Sequence, residues 1–360
     1  MEPRLNAAVI GCGRMGAFTS DVMRRHAPPG WFPLSHAEAV AAHPELHLVG
    51  VADQSRGAAV RAAQVHGVAD FGDDVQRLLD HARPALVTLA TRTQGRAALI
   101  GQCLAAGVRA LHVEKPLCNS MAEWQALSSR LDRGDVFVTY GALRRHLPVF
   151  RAAMAHAAAG ELGPLREARV QFGAGSLFWT QTHAIDLLLW AAGGRRLLGV
   201  QAVLGDVQHG SRTHEVENDP EVLSATLVFE GGLTGIVSRA HGSDFVLSCR
   251  DGEIAVRGDG SAIDTYRCQP DSIYPTFAPL ALDVPSGPGG TLAPISQLVD
   301  CVRQRPGAAE ANRALRADML LGQQVAFAFV QSYLEGSRLV DPSSVDDRLV
   351  VQARHGGRHA

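Results

Sequence analysis

The feature that most constrains this chain is Val9-Ile10-Gly11-Cys12-Gly13-Arg14-Met15-Gly16, a GxGxxG that directly follows an apolar run close to the N-terminus. Glycines at such a turn let a strand reverse into a helix and let the backbone approach a pyrophosphate, which then rests on the positive end of the helix. The motif gains meaning only from its setting between a strand and a helix, and the residues that follow supply that setting. Apolar runs predict strands over 7–10, 46–52, 86–90, 110–114 and 136–140, separated by amphipathic stretches near 15–25, 57–66, 74–81, 95–106 and 120–132. Ser35 with Glu38 and Ser120 with Glu123 have capping-box spacing. Alternation of this kind builds βαβ units, so residues 1–138 read as an α/β Rossmann-type, doubly wound parallel sheet that binds a dinucleotide.

After Tyr140 the pattern changes. A helix over 148–158, a strand over 166–172 and a helix from 183 precede successive strands over 198–204, 222–229, 234–239, 245–249 and 253–257, with a polar loop over 205–221. Residues 139–360 therefore read as an α+β domain with a large, open, mostly antiparallel sheet. Its two last helices, near 295–303 and 309–333, are expected to pack back on the first domain, and the tail 355–360 to be frayed.

Asp53 closes the second predicted strand, where a carboxylate accepts from adenine-ribose hydroxyls and repels a 2′-phosphate, which favours NAD over NADP. It lies 37 positions beyond Gly16, where about 20 are usual, so 26–45 reads as an insertion between the first helix and the second strand. Arg56, three residues on, keeps NADP open. Charge and composition exclude other classes. With 34 Lys+Arg against 36 Asp+Glu, the chain lacks the basic excess of a nucleic-acid binder. It also lacks the ~20-residue apolar stretch of a membrane span. Six scattered cysteines without CxxC spacing suit reduced thiols and give no metal signature; with an N-terminus that leaves no room for a leader, they point to the cytoplasm. Almost all basic residues are arginine, and the only lysine is Lys115.

That lysine lies in His112-Val113-Glu114-Lys115-Pro116, preceded by Leu86-Val87-Thr88-Leu89-Ala90-Thr91 and Ala105-Ala106-Gly107, and followed by Tyr140-Gly141, Arg144-Arg145, Gly160-Glu161-Leu162-Gly163 and His183-Ala184-Ile185-Asp186-Leu187-Leu188. This ordered set resembles the Gfo/Idh/MocA family of glucose–fructose oxidoreductase- and inositol dehydrogenase-like enzymes, essentially end to end. The resemblance implies an NAD(P)-dependent oxidoreductase acting on a secondary alcohol or ketone of a sugar, cyclitol or similar polyhydroxylated small molecule. It further implies Lys115, beside a cis bond to Pro116, as the group that steadies a developing alkoxide, and His183 as the acid–base group. Gly11, Gly13, Arg14, Met15, Gly16, Asp53, Ala90, Thr91, Glu114 and Lys115 itself would meet the cofactor, and Tyr140, Arg144, Trp179 and Asp186 the substrate.

Asp186, at i+3 from His183, either orients the imidazole or pairs locally; Arg144 and Arg145 either line a pocket or form salt bridges. Trp179 stands where the family often has an aspartate, four residues before the histidine, and Arg96 where many relatives have a histidine. The resemblance also implies a homodimer or homotetramer through the open sheet face. An NAD-recycling glycosidase or epimerase of the same fold and a cofactor-sensing regulator remain as alternatives, the regulator disfavoured by the retained lysine and histidine.

Overall fold

The computed structural model describes residues 2–269 and 276–353, with the backbone alone at Pro29; the expectation for 355–360 lies outside these. The first sheet contains β1 (Leu5–Ile10), β2 (Leu46–Ala52), β3 (Asp70–Gly72), β4 (Leu86–Leu89), β5 (Ala110–Val113) and β6 (Phe137–Tyr140) in the order β3-β2-β1-β4-β5-β6. All its pairings are parallel, and this is the order of the dinucleotide-binding fold. Residues of β1, β4 and β5 are almost wholly buried, which is why their sequences are continuous apolar runs rather than alternating ones. β3, three residues long, carries no such run and was missed.

The helices around this sheet are α1 (Asp21–His26), α2 (His36–Ala42), α3 (Arg56–His66), α4 (Val75–Ala82), α5 (Arg96–Ala105) and α6 (Met121–Leu131). The helix expected over 15–25 is not continuous: only its second half is helical, in α1. Gly13–Ala17 makes one turn, closed by the Ala17 N–H on the Gly13 carbonyl at 2.8 Å, and the chain then leaves through α1 and a cis Phe32–Pro33 bond. It returns at α2, whose first two amides, His36 and Ala37, donate to the Met15 and Gly16 carbonyls, each at 2.8 Å. Orphan donors of one helix start thus satisfy the orphan acceptors of the broken turn, as if His36 followed Phe18 directly. The insertion is therefore 19–35, inside the first helix rather than after it, and it accounts for 17 of the 37 positions between Gly16 and Asp53. Ser35 and Glu38 form the expected capping box; at α6, Ser120 accepts from Glu123, whose carboxylate takes Asn119 instead of Ser120.

The second sheet is built from β7 (Leu165–Gln171), β8 (Leu197–Gly205), β10 (Glu221–Phe229), β11 (Thr234–Ser238), β12 (Asp244–Cys249), β13 (Gly252–Arg257), β14 (Ala262–Cys268) and β15 (Phe277–Pro279), in the order β15-β14-β13-β12-β7-β11-β10-β8. Every pairing is antiparallel except β11 on β7. A small parallel pair, β9 (Glu215–Val216) with β16 (Val350–Val351), ties the loop after β8 to the C-terminal segment. The remaining helices are α7 (Pro148–Ala158), α8 (Thr182–Ala192), α9 (Leu292–Val302) and α10 (Ala308–Leu334). Ile295, Leu298 and Val299 of α9 join Ala7, Val9 and Leu46 in the core. α10 touches β6, β8, α6 and α8. Its buried Asn312 accepts from the Val138 N–H at 3.1 Å and donates to the Val138 carbonyl at 2.9 Å, so a side-chain amide pairs the edge strand β6.

Candidate active site

The nucleotide end follows from close packing. A Cβ on Gly11, whose φ is +97°, would lie 2.7 Å from the Ala90 carbonyl carbon and 2.9 Å from the Thr91 nitrogen, and one on Gly16 would run into the Gly11 carbonyl. A Cβ on Gly13 would meet nothing within 4 Å. Two glycines are thus demanded by the protein itself, and the third leaves open backbone for a pyrophosphate, with Arg14 and Met15 in the same turn. Asp53 accepts from the Cys12 N–H at 2.7 Å and the Ser55 N–H at 2.8 Å, one on each oxygen, which holds its carboxylate at the loop. Arg56 points to Asp73, 3.9 Å away, and is largely exposed.

Behind this end, buried Arg96 donates to the carbonyls of Glu114 (2.7 Å), Pro116 and Thr91. It bolts the segment after β4 to the segment after β5, and only its departure from the family pattern marked it in the sequence. Burial lowers its pKa to about 10. The Glu114 carboxylate is enclosed: it takes the Lys115 N–H at 3.3 Å and His36 at 3.4 Å, and a Cβ on Gly141 would touch it at 2.8 Å. His36, His112 and Glu114 offer ligand atoms within 4.8 Å of one another. Within this group His36 is paired with Glu114, while His112 Nδ1 is taken by the Thr139 hydroxyl at 3.0 Å.

Lys115 leaves the C-terminal end of β5 through a cis bond to Pro116. Its ammonium donates to the Trp179 carbonyl and lies 4.0 Å from the centre of the indole. Burial lowers its pKa to about 8; Glu114 and Asp219 oppose this, and Arg144 and Arg96 add to it. His183, second residue of α8, has a buried Nδ1 without a partner among the described residues. Burial, then the charges of Arg144 and Lys115, hold it well below the ordinary imidazole range, so it is neutral at physiological pH. A π-helical turn, Leu177–Gln181, joins Trp179 to α8 and was not foreseen.

Three residues expected at the substrate are committed elsewhere. Asp186 does not orient His183: it accepts from Arg145 Nε at 2.8 Å, and Arg145 also donates to Asp318 at 3.1 Å. Arg144 stays near the site, sandwiched between Trp31 and Phe172, but its fork is taken by Asp259 at 2.6 and 2.7 Å. Tyr140 is buried and lines a pore of only about 10 Å³ with Thr182 and Asp186. Asp186→Asn should therefore lower stability by roughly 2–4 kcal/mol in denaturant melts, because it strips a buried guanidinium of one partner, and leave the pH profile of kcat/KM in place. A moved profile with unchanged stability would return Asp186 to the imidazole. A cavity of about 360 Å³ between α8, α10 and Asp341–Pro342–Ser343 is lined by none of Lys115, Trp179, His183 or Asp53.

A glycine-rich turn and a strand-end carboxylate at the C-terminal edge of a 3-2-1-4-5-6 sheet are the features of a dinucleotide-binding fold, and Lys115 stands at the same edge. Residues 5–142 match the family described as "Oxidoreductase family, NAD-binding Rossmann fold", Gfo/Idh/MocA. The chain is 28% identical over 164 residues to scyllo-inositol 2-dehydrogenase (NAD(+)) of Bacillus subtilis (strain 168), covering 45% of this chain and 43% of that protein; it thus spans less than half the length of that relative. Among solved structures, GenD2 from gentamicin A biosynthesis in complex with NAD shares the fold at TM-score 0.67 and 22% identity, over 94% of this chain and 97% of that one. KijD10, a 3-ketoreductase from Actinomadura kijaniata in complex with NADP, does so at 0.61 and 19%, over 91% and 97%. No helix among the described residues is long and apolar enough to cross a membrane.

Proposed function

We propose that the protein is an NAD(P)-dependent dehydrogenase or reductase for a secondary alcohol or ketone on a sugar, cyclitol or related polyhydroxylated small molecule. The observation that carries this reading is the chain's single lysine, held beside neutral His183 with its pKa lowered to about 8. Bound NAD(P) supplies the hydride acceptor or donor. Lys115 has N–H donors beyond the one spent on the Trp179 carbonyl, and these meet the reacting oxygen and hold its negative charge. His183, kept neutral, takes the hydroxyl proton in oxidation; in reduction it has first to gain from solvent the proton that it passes to the oxygen. The indole of Trp179, 43% exposed, offers a flat apolar wall for a sugar ring or an apolar substituent. The relatives' names, an inositol dehydrogenase and a ketoreductase, support the same chemistry. Absorbance at the nicotinamide band with a panel of cyclitols and sugars tests it; no turnover with any panel member in either direction rejects it.

Asp53 favours NAD over NADP on this reading, since its carboxylate would face a 2′-phosphate. Calorimetry should find NAD tighter in the wild type and the preference eroded in Asp53→Ser; a wild type that prefers NADP overturns the assignment. A second copy is proposed to pair on the open sheet face, where Leu198 and Val203 of β8 are 42% and 40% exposed; a monomer in sedimentation at micromolar concentration argues against it.

A further inference from the structure

Lys115 shares the peptide groups of one residue with a carboxylate. Its ammonium binds the Trp179 carbonyl, while the Trp179 N–H donates to Asp219 Oδ2 at 2.9 Å and the Phe178 N–H to Oδ1 at 2.7 Å. Asp219 reaches this place from the end of the long loop between β8 and β10. The Leu177 N–H donates to the Pro220 carbonyl at 2.8 Å and the Val222 N–H to the Gly175 carbonyl at 3.1 Å, so the loop's end is laced to the start of the π-turn. Pro220 keeps Asp219 out of the helical region. Within the loop, the Glu217 N–H on the Gln208 carbonyl and Asn218 on the Asp206 carbonyl close the hairpin that presents it.

We propose that Asp219 is a positioning residue for Lys115, pinning the π-turn that aims the Trp179 carbonyl and indole at the ammonium and setting a carboxylate behind that turn, in addition to Glu114. This rests on the reading of Lys115 as the group that meets the reacting oxygen, yet the coupling of the two residues can be measured without turnover. The charged groups that bear on Lys115 are Glu114 and Asp219, which favour the ammonium, and Arg144 and Arg96, which oppose it; His183 beside them is neutral. Burial raises the Asp219 carboxyl to about 6 against the hydrogen bonds of Phe178, Ser176 and Trp179 and the charge of Lys115. Both groups are therefore charged from about pH 6 to about pH 8, and across that window the carboxylate favours the ammonium.

Because the chain holds one lysine, protein grown with lysine carrying ¹³C at Cε gives one lysine signal, which reports Lys115 alone. Its shift should titrate with a midpoint near 8 in the wild type, with a smaller step near 6 as Asp219 protonates. In Asp219→Asn the step near 6 should vanish. The midpoint should fall by at least roughly half a pH unit, because removing an anion disfavours the ammonium; Asp219→Glu should restore part of it. The alkaline limb of kcat/KM should move down by the same amount. An unchanged midpoint in a folded Asn variant overturns the proposal. If that variant does not fold, a wild-type signal without the step near 6 overturns it. A coupled signal in a protein whose turnover survives Lys115→Ala would instead sink the catalytic reading and leave the positioning intact.

Discussion

Lys115→Met should make the protein more stable at pH 7 while removing its turnover. The wild-type ammonium sits where burial lowers its pKa from 10.5 to about 8. The unfolded chain holds that proton up to about 10.4. The folded state therefore binds the proton less tightly, and the cost of keeping it is fully present below pH 8 and fades as pH rises toward 10.5. The shift corresponds to about 3 kcal/mol at 1.36 kcal/mol per unit. Lys115 is only half-buried, which leaves on the order of 1–2 kcal/mol for a methionine that keeps the apolar stem. Denaturant melts at pH 7 and pH 10 check both sign and window: the gain should be present in the first and much smaller in the second, and a methionine variant less stable than wild type at pH 7 overturns the account. Lys115→Arg is the companion. A planar guanidinium that cannot lose its proton is bulkier than the ammonium, so turnover should again be lost. Near-normal turnover would reduce the lone lysine to an accident of a composition that uses arginine everywhere else.

What the sequence shows of this molecule depends on how local the cause is. β2 and α7 coincide with their expected spans because an apolar run and a Pro at the first helical turn are local signals. The first helix misled because Gly13–Ala17 does begin one, and the partner that completes it, α2, lies beyond the 17-residue excursion; the abnormal distance to Asp53 was the one trace of this. Arg144 and Arg145 are neighbours in sequence, but one reaches Asp259, 115 positions away, and the other Asp186 and Asp318, at 41 and 173 positions. No spacing rule connects such pairs. Asp219 was invisible for the same reason: its meeting with Trp179 is made by backbone bonds between residues 175–177 and 220–222, which only the folded sheet brings together. Lys115 and His183 stand out through the resemblance, the lysine also through its solitude, and their roles rest on the proposed function.

His183→Ala should lower kcat by about 10²–10⁴, the usual worth of a positioned acid–base group, with cofactor affinity nearly unchanged. The form of the pH profile matters as much as the size of the loss. An ordinary imidazole titrates near 6.5 and would give an ascending limb there. In this site burial and the nearby charges of Arg144 and Lys115 disfavour the imidazolium, so His183 stays neutral throughout the working range and is always ready to accept a proton. On the proposed function, the limb that remains is the descending one near pH 8, where Lys115 loses its proton and with it the charge assigned to the reacting oxygen. In oxidation the wild-type kcat/KM should therefore show no ascending limb that disappears with the histidine, and His183→Ala should keep the midpoint near 8 while losing height. Since Asp186 is bound to Arg145, its removal should not mimic this change. An ascending limb near 6.5 present in the wild type and absent from His183→Ala would show that the imidazole does charge in the folded protein, and would reject the assignment of a permanently neutral base.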